Sequence, residues 1–212
     1  QLIDQKDSIG KIYSITSELD RTMPDEVLFD AVEMMERLMG TEDVAIYNVV
    51  NGDYARMFSA SSQKARELGN SIRYKEMSVM YDALKEHRVF INKSLDPQYP
   101  LMANAIFENE EMQMIVMLWG LSWERMTLGQ ANMLVVVSAL IQNAVLSARR
   151  YLQALEEKRY IEGSRILDQE AFSSLVTAYY HAKERNLVEC VLLQLQLPEN
   201  TYKTQGDKVS CL

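Results

Sequence analysis

Cysteine, histidine, glycine and proline are all scarce in this chain, and each shortage removes a class of function. There are two cysteines, Cys190 and Cys211, and two histidines, His87 and His181, among 212 residues. Neither their number nor their spacing builds a zinc site, and two distant thiols imply no disulfide framework. No metal or cofactor is expected. Eight glycines and four prolines leave little material for repeats, low-complexity linkers or a turn-rich all-β scaffold. No GxxxxGK(S/T), GxGxxG or GxSxG occurs, so phosphate cradles and nucleophile elbows have no sequence support. The 22 Lys and Arg against 30 Asp and Glu give a net charge of −8 without a basic stripe, so a nucleic acid polymer is not an expected partner. The longest nearly unbroken apolar run, Met133 to Ile141, is far shorter than the ~20 residues that cross a bilayer. Nothing near Gln1 has the form of a signal peptide, and a chain that opens on glutamine reads as a piece of a longer protein.

What is present alternates between helical and strand periodicity. Residues 1 to about 20 carry Leu2, Ile9, Ile12 and Leu19 at coiled-coil-like spacing, which predicts an entry helix. A break at Asp20–Pro24 precedes a second helix, whose apolar face is Val27, Leu28, Ala31, Met34, Met35 and Leu38 and whose stop is Gly40. Period two then takes over. Val44 to Val50 and Tyr54 to Ala60 read as strands joined at Asn51-Gly52. A short strand at Ser71 to Tyr74, a helix at Met77 to His87 and a brief strand at Val89 to Ile91 follow. After the loop from Asn92 to Pro100, two strands, Leu101 to Phe107 and Met112 to Leu121, flank an acidic turn. Thr127 with Gln130 forms a capping box that opens a helix running to about Glu162. Gly163-Ser164 breaks the chain before a helix over Ile166 to Asn186 and an apolar strand over Leu187 to Leu197. Most of the 13 methionines, Met34, Met35, Met77, Met80, Met114, Met117 and Met133 among them, fall at core-facing positions. Cys190 reads as a buried thiol of the last strand.

This order resembles the GAF family, sensory domains with an antiparallel sheet between helices. The stretch Phe90-Ile91-Asn92-Lys93-Ser94-Leu95-Asp96-Pro97-Gln98-Tyr99 resembles that family's "vvi-ND…DPRF" segment, and Met126-Thr127-Leu128 with Gln130 resembles its F-(S/T)-x-x-D helix start. The implied fold class is α+β, a GAF-type antiparallel sheet flanked by helices, with long signalling helices before and after it. Asn92-Lys93 with Phe107 and Glu111 is a partial echo of the NKFDE signature of cyclic-nucleotide-binding members, in which Glu111 would accept from Lys93. Ile166-Leu167-Asp168-Gln169-Glu170-Ala171-Phe172 and Val191 to Leu197 resemble the opening of a GGDEF domain. Gln194 and Gln196 stand there in place of the acidic metal ligands, and amides are poor ligands for Mg²⁺. A GAF domain followed by a degenerate GGDEF domain is similar to the PelD-type receptors of cyclic di-GMP. The implied domains are 1–22 (entry helix), 23–162 (GAF domain with its exit helix) and 163–212 (partial second domain).

The resemblance places a ligand pocket beside Arg56, Arg73, Tyr81, His87, Asn92, Asp96, Tyr99 and Asn104. The alternative reading of the same residues is structural: Tyr81 packs, Asn92 and Asp96 tie turns, the arginines are solvated, and His87 caps a helix end. The helical spacing of Ile141, Val145, Ala148, Leu152 and Leu155, with Ile12 and Leu19, predicts the seam of a parallel homodimer. The expected function is a non-catalytic, cytoplasmic sensor, free or as the cytoplasmic part of a membrane-anchored protein. It would relay a signal to a cyclic di-GMP receptor that controls exopolysaccharide secretion with other secretion proteins. The alternatives are the regulatory half of an active diguanylate cyclase and the sensor of a transcriptional regulator.

Overall fold

The structure, a computed structural model, describes residues 14–155 and 159–194. Its centre is a six-stranded, wholly antiparallel sheet built from β1 (Val44–Val50), β2 (Tyr54–Ala60), β3 (Ser71–Ile72), β4 (Phe90–Ile91), β5 (Met102–Glu108) and β6 (Glu111–Leu118). The strand order is β3-β2-β1-β6-β5-β4. Alternation along the strands divides the core in two. Val44, Ile46, Met102, Ile106, Met114 and Val116 face one layer, while Ala45, Tyr47, Ala103, Ile115 and Met117 face the other.

The first layer is helical. Helix α1 (Pro24–Met39) starts on a proline, carries Asp25 and Glu26 in its first turn, and stops at Gly40, whose left-handed φ of 66° ends the helix. It packs against α3 (Leu128–Ala154). The second layer holds α2 (Ser78–Lys85) and the short 3-10 turn Lys64–Arg66. The hydroxyl of Thr127 caps α3 by accepting from Gln130 N. The reciprocal half of the capping box does not form, because Thr127 N donates to Arg125 O, while Gln130 Nε2 donates to Met39 O and so ties the start of α3 to the end of α1.

Three expectations change here. Helix α3 ends at Ala154, not near Glu162. At ~1.5 Å per residue its 27 residues span roughly 40 Å. The chain then turns through Gly163 (φ 74°), with Tyr160 bridged to Leu167 and Asp168 N donating to Arg159 O at 2.8 Å. Helix α4 (Gln169–Glu184), capped by Asp168, packs on α1 and places Ala182, with Leu187 beyond it, in the same core as the sheet. Tyr179, Ala182, Leu187 and Val188 thus pack into the core that α1, α3 and the sheet share. The apolar strand expected at Leu187 to Leu197 is absent over its described part, 187–194, where the backbone is irregular. Val191, Leu192 and Leu193 are exposed there, and Cys190 is half-buried rather than enclosed. The entry helix is described only at residues 14–18, which are helical, so Leu2, Ile9 and Ile12 lie outside the described residues.

By length and composition α3 could cross a bilayer, with a mean hydropathy of 1.6 over its most apolar window. The breaks in its apolar runs hide this from a count of consecutive residues. Ala131, Leu134, Val137, Ile141, Val145 and Ala148 are buried against the sheet and α1, so in this fold it serves as a core helix.

Candidate functional site

The expected pocket residues separate into three places. Asn92 is buried, and all its polar capacity is spent on its own loop: Nδ2 donates to Asp96 O (2.8 Å) and Tyr99 O, while Oδ1 accepts from Asp96 N (3.1 Å) and Ser94 Oγ. Asp96 Oδ1 accepts from Gln98 N at 2.9 Å, a local turn bond. Tyr99 lies 5.6 Å from the Phe90 ring. Asn92 and Asp96 thus tie the turns of this loop, and Tyr99 packs beside Phe90. Asn104 sits between Met102 and Ile106 on β5 and so faces the α1/α3 layer, away from α2. Arg56 stands in register with Asn48, on that same face and in solvent. Neither can reach a ligand under α2, because the alternation of their strands points them the other way. Arg73 is exposed, paired with Glu76 at 3.0 Å and set over the Tyr54 ring. Lys93 makes no ion pair among the described residues, so the expected bond to Glu111 is absent.

Tyr81 and His87 do come together, in a groove of about 690 Å³ at the edge of the second layer. The β1–β2 tip contributes Asn51 and Gly52, the β5–β6 tip Phe107 and Glu110, and the flank of α2 Tyr81 and Lys85. Tyr74 closes one end, its hydroxyl donating to Gly52 O at 2.8 Å. His87 ends α2 in a left-handed conformation (φ 57°), where glycine would sit without strain. Its ring stacks on Phe107 with 4.0 Å between centroids, and Nε2 lies 3.6 Å from Glu110. Each cation of the groove already has a carboxylate: Lys75 has Asp53 at 3.0 Å and Lys85 has Asp82 at 2.7 Å. Such exposed pairs are weak, so a polar ligand could exchange for them cheaply. Among the described residues that line the groove, no nucleophile is paired with a base. Deeper in the layer, Tyr47, Met80, Leu84, Phe90, Ile115 and Trp119 fill the space between sheet and α2. Burial pushes the Tyr47 hydroxyl above its usual range, so it stays a donor, to Gly69 O at 3.0 Å.

The expected dimer seam is largely internal. Leu19, Ile141, Val145 and Ala148 are buried in this chain's own core, and Ile12 lies outside the described residues. Leu152 and Leu155 line a hollow between the start of α1, the end of α3 and the start of α4. The solvent face of α3 is instead Leu128 (74% exposed), Val135 and Val136 (both 43%) and Ala139.

The contact that sequence reasoning missed is the seat of α4. Tyr179 Oη donates to Asp25 Oδ2 at 2.9 Å while its ring meets Phe29 edge-on at 5.4 Å. Burial and the Asp25 carboxylate push that hydroxyl well above the ordinary tyrosine range and keep it protonated. Arg185 pairs with Asp30 and Glu33. Past the helix, Leu187 O accepts from Ala60 N (3.0 Å) and Ser59 Oγ (2.9 Å), and Asn186 O accepts from Arg66 (2.6 Å). The faint signal was three alanines, Ala171, Ala178 and Ala182, on one face.

No family model matches the sequence, and no curated protein matches it at a significant level. Solved structures match it by shape. A methyl-accepting chemotaxis protein, residues 122 to 287, aligns with a TM-score of 0.51 at 12% identity, over 66% of this chain and 98% of that one. Bacteriophytochrome RpBphP3 from the photosynthetic bacterium R. palustris aligns at 0.46 and 11% identity, over 82% of this chain and 46% of that one. Its chromophore-binding domain aligns at 0.42 and 11%, over 72% and 63%. At such identities the likeness is one of fold alone, an α+β fold with an antiparallel sheet flanked by helices.

If Asn92 builds the loop rather than a ligand site, Asn92→Ala should cost about 1–3 kcal/mol in urea unfolding, the penalty for stranding buried partners. Backbone amides of residues 94–96, 98 and 99 should also exchange faster. An unchanged midpoint would return Asn92 to the list of binding residues.

Proposed function

We propose that this chain is a non-catalytic sensor module that passes a conformational bias from its sheet domain to whatever follows α4. The observation that carries this is the seat of α4, which ties residues 169–187 to both α1 and the end of β2. A shift of α1 or β2 cannot leave that segment unmoved. The groove at the second layer, open to solvent and bordered by the exposed pairs Lys75–Asp53 and Lys85–Asp82, is the input that the geometry favours. The fold shared with residues 122 to 287 of a methyl-accepting chemotaxis protein supports a place in signalling.

The module works as a homodimer through the outer face of α3. No charged residue stands between Arg125 and Arg149, and Leu128, Val135, Val136 and Ala139 leave an apolar stripe in solvent. A stripe of this kind is self-complementary across a two-fold axis. Light scattering should find a dimer at tens of micromolar, and Val135→Glu should yield a folded monomer. A monomeric wild type contradicts the arrangement.

The narrower reading makes the output a degenerate GGDEF domain that binds cyclic di-GMP and controls exopolysaccharide secretion together with other secretion proteins. Its support is the sequence texture of Ile166 to Phe172 and Val191 to Leu197. It implies a nucleotide site outside these 212 residues. Calorimetric titration of cyclic di-GMP should therefore give no heat with this chain and saturable binding with the intact protein. An intact protein that gives none removes this reading and leaves the sensor module in place.

A further inference from the structure

Asp30 is held from both ends of the described chain. It lies on α1 with its side chain 14% exposed. Its Oδ2 accepts from Arg21 Nε at 2.6 Å, and its Oδ1 accepts from Arg185 Nη1 at 3.2 Å. Arg21 stands in the link between the helical residues 14–18 and α1, while Arg185 closes α4. Residues 14–18 are part of the same body, because Glu18 pairs with Arg37 of α1 and Ile15 is buried in the core. Arg185 has a second acceptor in Glu33 at 2.8 Å. Arg21, Asp30 and Arg185 meet in one water-accessible hollow of about 430 Å³, together with Glu26, His181 and Glu184.

We infer that Asp30 is a charge switch between the entry segment and the exit helix, at which Arg21 and Arg185 compete for one carboxylate. Two guanidinium groups on the same carboxylate share a single negative charge and repel each other. When Arg21 withdraws, Arg185 keeps the whole charge and α4 seats more firmly. When Arg21 is seated, α4 is looser. A movement of the N-terminal segment is thereby read at the C-terminal one, with opposite sign. The two arginines are partly in solvent, so the pairs bias the seating of α4 rather than hold it. Exposed pairs of this kind shift an equilibrium by about 2- to 5-fold. The inference rests on the docked α4 of the proposed relay and adds to it the direction of the signal.

The test is hydrogen exchange of the α4 amides in the full chain. Arg21→Gln should slow their exchange about 2- to 5-fold at low salt. The effect should shrink at high salt, and Arg21→Lys should behave as wild type. In an Asp30→Asn background, Arg21→Gln should change nothing, a result that a merely structural role for Arg21 would not produce. Exchange that is unchanged or faster in Arg21→Gln overturns the switch, as does an effect that survives Asp30→Asn. A wild-type α4 that exchanges like free peptide overturns the docked relay itself, so the two failures are distinguishable.

Discussion

Both faces of the sheet are buried, and the rest of the molecule is arranged around that constraint. Val44 and Ile46 belong to the core under α1 and α3, while Ala45 and Tyr47 belong to the core on the α2 side. A slip of one residue in β1 would exchange two complete sets of packed side chains, so the register is strongly specified. The same parity decides which residues can serve a site. Groups on the α2 face, or on the hairpin tips beside it, reach solvent at the groove. Groups of the other parity, Asn104 and Arg56, are committed to the helical layer or to the water beyond it.

The energetics of α4 differ from those of α1. Helix α1 buries Phe29, Met34, Met35 and Met39, and removing such a side chain costs ~2–5 kcal/mol. Helix α4 buries alanines, the ring of Tyr179 and, just past its end, Leu187. The Tyr179–Phe29 pair is worth ~0.5–1.5 kcal/mol and a hydrogen bond to a charged group ~1.5–3 kcal/mol. Arg185 adds less, being half-exposed. An element seated by so few kcal/mol can shift on its seat at low cost while the domain still unfolds as one unit. That is the property a relay needs.

The sheet was the most legible part of the sequence. The period-two runs at Val44–Val50 and Tyr54–Ala60 match β1 and β2 to the residue, because alternation and Asn51-Gly52 act together there. Thr127 marked the start of α3. The end of α3 was not legible, since Leu152 and Leu155 continue its spacing and only the fold shows that they meet α4. Spacing says that Ile141, Val145 and Ala148 need a partner without saying which one, and the partner is their own core. Parity alone could have removed Asn104 from the pocket, because Met102 and Ile106 flank it at two residues on either side. The seat of α4 was hidden because alanines carry little hydrophobic signal, and the groove because three separated segments compose it.

The central claim is that residues 169–187 share one core with the sheet, and Ala182 tests it most directly. It is fully buried on α4, far in sequence from Trp119, itself 5% exposed in the second layer. Ala182→Glu places a charge in that core, a change that costs several kcal/mol where the site is enclosed. Urea unfolding followed by tryptophan fluorescence should remain one transition and move to a clearly lower midpoint. A midpoint equal to that of the wild type would mean that α4 lies outside the cooperative unit, and the account of a docked relay would fail.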